Sequence, residues 1–459
     1  MVFSSITFLF YFLPIFLVFY FVVPFSLKNR IIFVGSLIFY AWGEPFAVFI
    51  LLFSIALCYI LGLFIEKNRK NKAGKTICIL GCGLFVVFLL YFKYLGFFLE
   101  TIHFPIPLFE THLPIGISFY TFQIISYLVD VYRGEKAQNN FIDLGTYIAL
   151  FPQLIAGPIV RYGSICHQLV CRKHSIEQFG KGIERFVVGL SKKVLLADSF
   201  ALFIAEIHQG AGSILGTWMY AVAIALQIYF DFSGYSDMAI GLGKMLGFHI
   251  DENFAYPFVA TNITDFWRRW HISLGSWFRD YIYIPLGGNR CSLARQMASI
   301  MFVWILTGLW HGAQWNFVIW GLYFGVLLIL EKYQFGEFFK GHPILEKFYF
   351  YFSILISFII FDSSSWMQIL ETFKRLVGMS AVPIWNQEIL YYGKSYALLF
   401  VIGMVGTTPW TKIVREKFQR SKFSKGADGI EILFLFLIFL VCIAFLVDGS
   451  FSPFLYFRF

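Results

Sequence analysis

Charge is scarce in this sequence. Charged residues occupy 14% of its 459 positions, against about 25% in a soluble domain. Hydrophobic residues fill 59% of the chain, more than a string of soluble domains could hide from water, so that class is excluded. Cysteine offers no alternative scaffold. The seven Cys form an odd set, and Cys58, Cys78, Cys82 and Cys442 sit in apolar runs as small hydrophobes, which excludes a secreted disulfide framework. Internal repeats and low-complexity tracts are absent. The first apolar run, 3–25, lacks a basic n-region and a small-residue cleavage pattern, so it is expected to be a retained span and not a signal peptide. The 36 basic residues outnumber 27 acidic ones, which on a soluble protein would suggest nucleic acid. Here they fall in short loops between apolar segments, and the expected partner is the lipid bilayer, with no nucleic acid.

What remains is an all-α, polytopic membrane protein, expected as one integral membrane domain over 1–459. A spanning helix needs about 20 apolar residues, and the chain offers roughly eleven candidate runs. They are 3–25, 31–42 with 46–64, 77–99, 113–131, 141–159, 194–208, 217–240, 299–331, 347–361, 395–409 and 431–447. Several are broken, at Trp42-Gly43-Glu44-Pro45 and between Phe151-Pro152 and Gly157-Pro158. Irregular backbone at membrane depth survives only where protein or a wet cavity satisfies it, so a bundle of straight helices is not expected. Basic residues set the orientation. Lys28 and Arg30, the run from Lys67 to Lys72, the stretches 161–193 and 268–295, and the cluster from Lys412 to Lys425 are expected in the cytoplasm, with both termini outside.

Two segments carry candidate chemistry. From Thr264 to Tyr281, Trp267, Trp270 and Trp277 interleave with Arg268, Arg269 and Arg279, which reads as an amphipathic helix at the cytoplasmic interface. Taken alone it is as readily an anchor, and His271 within it a structural histidine. From Leu306 to Asn316 runs Leu-Thr-Gly-Leu-Trp-His-Gly-Ala-Gln-Trp-Asn. His311 lies 12 residues after Ser299, about 18 Å along a helix, which places it near mid-bilayer. An ionisable residue there is a functional hypothesis, and imidazole, with a reference pKa of ~6.5, suits base catalysis. The competing reading is a histidine that ties helices together.

With Asp231-Phe-Ser-Gly-Tyr-Ser-Asp237, Phe151-Pro-Gln-Leu-Ile-Ala-Gly-Pro158 and Tyr283-Ile-Pro-Leu-Gly-Gly-Asn-Arg290, these strings resemble the membrane-bound O-acyltransferase family over nearly the whole chain. The likeness is to its bacterial branch, which includes the membrane subunit of alginate O-acetyltransferase. The resemblance implies a ring of about eleven tilted, partly broken helices around a central funnel and tunnel, in a bacterial plasma membrane. His311 matches the family's signature histidine and His271 its second polar residue. It also implies acyl transfer from a cytoplasmic thioester, acetyl-CoA or an acyl carrier protein, with no bound cofactor. The acceptor would be an extracytoplasmic polysaccharide, reached with an extracytoplasmic SGNH-like acetyltransferase partner.

In this chemistry a base must take the acceptor's proton. His311 is expected in that role and His271 in positioning or polarising the thioester. Trp310 and Asn316 are expected to line the site, and Arg268, Arg269 and Arg279 to attract donor phosphates. D-alanyl transfer to teichoic acid is the nearest alternative. From other classes, a transporter would need intramembrane carboxylates, for which Asp231 and Asp237 are the candidates, and a structural export subunit would need no chemistry. Cys166, His167, Cys171 and His174 are crowded without a second spaced pair, so no metal is expected. Asn262-Ile-Thr fits a glycosylation sequon but precedes a cytoplasmic segment. The C-terminal Phe454-Leu-Tyr-Phe-Arg-Phe459 reads as an aromatic anchor. Its spacing also resembles the C-terminal tyrosine motif of the small D-alanylation subunit, which makes Tyr456 a candidate acyl relay.

Overall fold

In a solvent without hydrogen-bonding partners a backbone satisfies itself most simply as helix, and helix is the only regular structure among the described residues. The structure is a computed structural model that describes residues 1–103, 113–207, 212–335, 338–339, 341–420 and 424–449. Seven helices among them are long and apolar enough to cross a membrane: Ala47–Asn68, Lys72–Thr101, Ile214–Met245, Leu293–His311, Trp315–Phe335, Pro343–Asp362 and Gly429–Val447. A further pair, Gln387–Ser395 and Ala397–Gly406, is bent by 57°. The expected run 299–331 is two helices, Leu293–His311 and Trp315–Leu330, joined by a short turn. Other expected runs contain shorter helices, as in Ile117–Arg133, Phe141–Ala149 and Asp198–Glu206.

The chain divides into two compact units. The first comprises residues 1–186 and 235–251. In it the helix Ile117–Arg133 is buried at every position from Ile117 to Leu128. The run 141–159 breaks here for a local reason. Its helix stops at Leu150, and a single turn, Phe151–Leu154, restarts with Pro152 in the first turn, where a missing N–H costs nothing. Side chains serve the broken backbone: Phe151 N–H donates to Ser36 Oγ (3.1 Å), and Gln153 Nε2 donates to the Tyr147 carbonyl (2.9 Å).

The second unit comprises residues 187–234 and 252–459. Its aromatic core includes Phe230, Phe266, Trp270, Phe317, Trp320 and Phe350. Within it Lys193, 1% exposed, lies 2.7 Å from Asp198 and 2.8 Å from Asp231. In the first unit Asp237 is held by Arg185 at 2.6 Å. Both carboxylates that a transport reading would require are therefore bonded to basic side chains, the usual condition for keeping a charge inside a membrane.

The helices on either side of the turn after His311 approach at glycine. A Cβ on Gly308 would collide with the Phe317 carbonyl oxygen, and one on Gly321 with that of Trp304. These neighbours are backbone and cannot step aside, so a side chain must push the helices apart. Gly308→Ala is expected to lower stability by about 1–3 kcal/mol through overpacking, read as a lower unfolding midpoint in detergent. Gly83→Ala, with open space around its Cβ, serves as control. Equal midpoints would show that the close approach is not required.

Candidate active site

The segment expected as one interfacial helix folds differently. It forms two short helices, Ile263–Arg269 and Ile272–Phe278, the second continued by a wide π-helical turn over Arg279–Tyr283. Asn262 caps the first by accepting the Asp265 N–H at 2.8 Å. The Glu331 carboxylate accepts the N–H groups of Ile263 (2.6 Å) and Thr264 (2.8 Å), placing an anion at the helix start where the dipole favours it. The break falls at His271, whose φ of +45° is left-handed, an uncommon state for a residue with a Cβ and one that clusters at functional sites. A neighbouring strand of chain holds it: Ala255 N–H donates to the Arg269 carbonyl (2.9 Å), and Ile272 N–H to the Asn253 carbonyl (3.0 Å). The kink turns the segment inward. Trp270 and Trp277 are buried in the protein, so their rings are covered by protein and do not face lipid headgroups. The apolar pattern that resembled membrane anchoring is core packing.

His271 is 1% exposed. Its Nδ1 lies 3.2 Å from Asn253 Oδ1. That oxygen also accepts the Ser273 backbone N–H (3.2 Å) and hydroxyl (2.8 Å). A backbone N–H can only donate, so the atom it meets must be the amide oxygen, and the His271 Nδ1 must then carry the proton. Nε2 is left as the unprotonated nitrogen. It is buried and has no hydrogen-bond partner among the described residues. Burial first, and the neighbouring His311 second, push the His271 imidazole well below its ordinary range, so the ring is neutral at neutral pH.

His311 ends the Leu293–His311 helix. That helix begins six residues before Ser299, so His311 stands about 27 Å along its axis. The mid-bilayer depth expected from the residue count does not follow, because depth now depends on tilt. The structure brings the two imidazoles together, with centroids 6.4 Å apart. Aromatic rings surround them: Phe232 lies 4.6 Å from His271, while Trp320 and Phe361 lie 5.1 and 5.3 Å from His311. Trp310 stands 5.6 Å from His271 and 5.0 Å from His311. Asn316 donates through Nδ2 to the Phe361 carbonyl (3.1 Å), and so steadies the ring that packs on His311.

A cavity of about 1240 Å³ is lined by the segments on which the two histidines sit, although neither imidazole is part of its lining. Its lining includes Ile272 and Thr307, next to His271 and one turn before His311, and extends to Arg268, Arg279 and Lys332. The three expected arginines differ. Arg269 pairs with Asp265 at 2.9 Å and Arg279 with Asp280 at 2.7 Å, while Arg268 lines the cavity and is exposed. Trp267 also lines it, with a buried Nε1 that has no partner among the described residues. Sequence reasoning missed Asn253, Ser273, Lys332 and Glu331. The first lies in Asp251-Glu252-Asn253-Phe254, where nothing in composition or spacing announces a partner for a residue 18 positions away. Among the described residues no three metal-ligating side chains gather. Tyr456 and the tail around it lie outside the described residues.

The sequence matches the family model of MBOAT, the membrane-bound O-acyltransferase family, over residues 84–354, which contain both histidines and Asn253. The chain is 37% identical to the probable alginate O-acetylase AlgI of Pseudomonas putida, covering 100% of both chains. It is 44% identical to the protein of that name in Pseudomonas aeruginosa, over 72% of this chain and 66% of the relative. It is 32% identical to the peptidoglycan O-acetyltransferase of Helicobacter pylori, over 84% of this chain and 81% of the relative.

The tautomer deduced for His271 is open to direct measurement. Selective ¹⁵N labelling is expected to show a neutral ring protonated at Nδ1 near neutral pH, titrating below the usual imidazole range. Because the folded ring is harder to protonate than an exposed one, its charging on acidification opposes the native arrangement. An Nε2–H signal at neutral pH would overturn the assignment.

Proposed function

This chain belongs to the membrane-bound O-acyltransferase family, and on that premise we propose that it moves an acyl group, acetyl by its likeness to O-acetylases, from a cytoplasmic thioester to hydroxyls of an extracytoplasmic cell-envelope polysaccharide. The observation that carries the reading is the buried pair of imidazoles, one of them with an available Nε2 lone pair, on segments whose neighbouring residues Ile272 and Thr307 line a large cavity. The donor is acetyl-CoA or an acyl carrier protein thioester. Its phosphate-bearing arm lies along the cavity towards Arg268 and Lys332, Arg279 being paired with Asp280.

Transfer needs one bond made and one broken. The acceptor O–H gives its proton to an imidazole, its oxygen bonds to the thioester carbon, and the C–S bond breaks as the departing sulfur takes up a proton. A positioned base contributes about 10²–10⁴-fold to such a step. His271, with Nδ1–H directed at Asn253, has no proton at Nε2 to offer a carbonyl and is suited to accept one. In this reading His271 takes the proton, and His311, first expected as the base, donates to the developing oxyanion. A donor of that kind is worth about 10²–10³-fold. Trp310 separates the site from water.

His271→Ala and His311→Ala should each reduce acyl transfer by about 10²-fold or more while eluting as folded protein. His311→Gln keeps an N–H donor and should recover part of the activity, whereas His271→Gln should not. Transfer at the wild-type rate by a well-folded His311→Ala protein would remove that residue from the mechanism.

The orientation proposed puts the loop Lys67–Lys72 and the basic cluster from Lys412 in the cytoplasm, and the C-terminal tail outside. Tyr456 then accepts the acyl group on its phenol oxygen and passes it to an extracytoplasmic SGNH-like partner. The Phe-x-Tyr-x-x-Phe spacing supports this reading. Tyr456→Phe preserves the aromatic ring and removes the nucleophile. Polymer acylation should vanish in that variant, and normal acylation would reduce the tail to an anchor.

A further inference from the structure

In the first unit, between the helices Tyr162–Val170 and Ile176–Ser191, Arg172 is folded into the protein with 7% of its surface exposed. Its Nε donates to Tyr20 Oη (3.1 Å) and the Leu246 carbonyl (3.2 Å). Its Nη1 donates to Asn29 Oδ1 (2.7 Å) and to the Leu169 and Gln168 carbonyls (each 3.4 Å). Its Nη2 is buried and has no partner among the described residues. Every acceptor it has is neutral. Beside it Lys28, 8% exposed, lies over the Tyr20 ring at 4.2 Å and donates to the Tyr20 carbonyl at 2.9 Å. His174 Nε2 meets the same phenol at 2.7 Å. One phenol thus stands among a guanidinium, a lysine amine and an imidazole. The carboxylate of Asp143 reaches only the other end of the Asn29 amide, at 2.6 Å.

Buried charges are normally paired, and an uncompensated ion costs several kcal/mol. Among the described residues no contact of Arg172 or Lys28 supplies the negative charge. The surroundings indicate its form. Phe21, Val22 and Phe25, at the turn between the helices Leu13–Val22 and Phe25–Gly43, are large exposed hydrophobics. Phe248, against which the guanidinium stacks at 4.4 Å, also lines a cavity of about 290 Å³ with Lys181 and Lys244. Buried basic groups beside exposed apolar side chains fit an amphiphilic anion. Its phosphate meets a guanidinium and an ammonium, and its chains meet the phenylalanines.

We propose that Arg172, Lys28 and His174 form a binding site for the phosphate of an anionic phospholipid, separate from the paired histidines. The Nη2 of Arg172 and the Nζ of Lys28 donate to the phosphate oxygens, and the lipid tails pack on Phe21, Val22 and Phe25. The lipid completes the charge of this corner.

The test uses full-length protein stripped of lipid in neutral detergent, with phosphatidylglycerol, phosphatidylcholine and inorganic phosphate as probes. Native mass spectrometry should show phosphatidylglycerol retained in preference to phosphatidylcholine, and the unfolding midpoint should rise with phosphatidylglycerol, as for any ligand of the folded state. Lys28→Gln should bind phosphatidylglycerol about tenfold more weakly, and Arg172→Gln should lose the preference. The exposed Lys173→Gln should behave as wild type. If inorganic phosphate raises the midpoint equally and Lys28→Gln abolishes that rise, the phosphate site stands and its ligand comes from solution. Equal retention of the two lipids by the wild type overturns the proposal even if Arg172→Gln fails to fold. So does unchanged phosphatidylglycerol binding in a folded Lys28→Gln protein.

Discussion

The amide oxygen of Asn253 accepts the Ser273 backbone N–H, and this contact decides the chemistry nearby because a backbone N–H has no other role to play. It identifies the oxygen of the amide, hence the proton on His271 Nδ1, hence the lone pair on Nε2. The same stretch of chain pins Ile272 and Arg269 through backbone hydrogen bonds, which keeps His271 in its left-handed conformation. One residue therefore sets the direction, the tautomer and the backbone strain of an imidazole. Burial beside a second imidazole then keeps that ring neutral, which is the form able to accept a proton.

The rest of the second unit can be understood as support for that arrangement. Glycine contact lets the helices flanking the turn after His311 lie close together, and the turn delivers the histidine at a helix end. Aromatic rings surround the pair and exclude water, so that hydrogen bonds inside are stronger than in bulk solvent. Charge is kept away from this centre or neutralised near it. Lys193 is shared between Asp198 and Asp231, and Arg269 and Arg279 are tied to Asp265 and Asp280. Arg268 and Lys332 are left to mark the cationic end of the cavity.

Much of this was legible in the sequence, and the reason is chemical. Long apolar runs can only be lipid-solvated helices, so Ala47–Asn68, Lys72–Thr101 and Pro343–Asp362 were visible from composition. The Trp-His-Gly string and the Trp-Arg-Arg-Trp-His string stood out because charged and imidazole groups are costly among so many hydrophobics. Placement was harder. The segment 264–281 has the composition of an interfacial helix, yet its tryptophans pack inward because His271 breaks it, and φ at one residue is not written in a hydrophobic pattern. The depth of His311 is not fixed by a residue count from Ser299, because the helix begins at Leu293, among polar residues that hydropathy excludes. Asn253 was invisible, since tertiary contacts across 18 residues leave no period. Arg172 was legible only as a basic loop residue, and its burial comes from contacts with Tyr20, Asn29, Leu246 and Phe248, distant in sequence.

The claim that a neutral, Asn253-oriented His271 and His311 together receive the thioester is tested most directly by the structure of the protein with a non-hydrolysable thioester analogue bound. The acyl carbonyl is predicted between the two imidazoles, with its carbon within reach of an acceptor oxygen held at His271 Nε2. The analogue's arm is predicted in the cavity past Thr307 and Trp267, with its phosphates at Arg268 and Lys332. An analogue bound with its carbonyl remote from both histidines, in a site that their replacement by alanine leaves intact, would contradict the account.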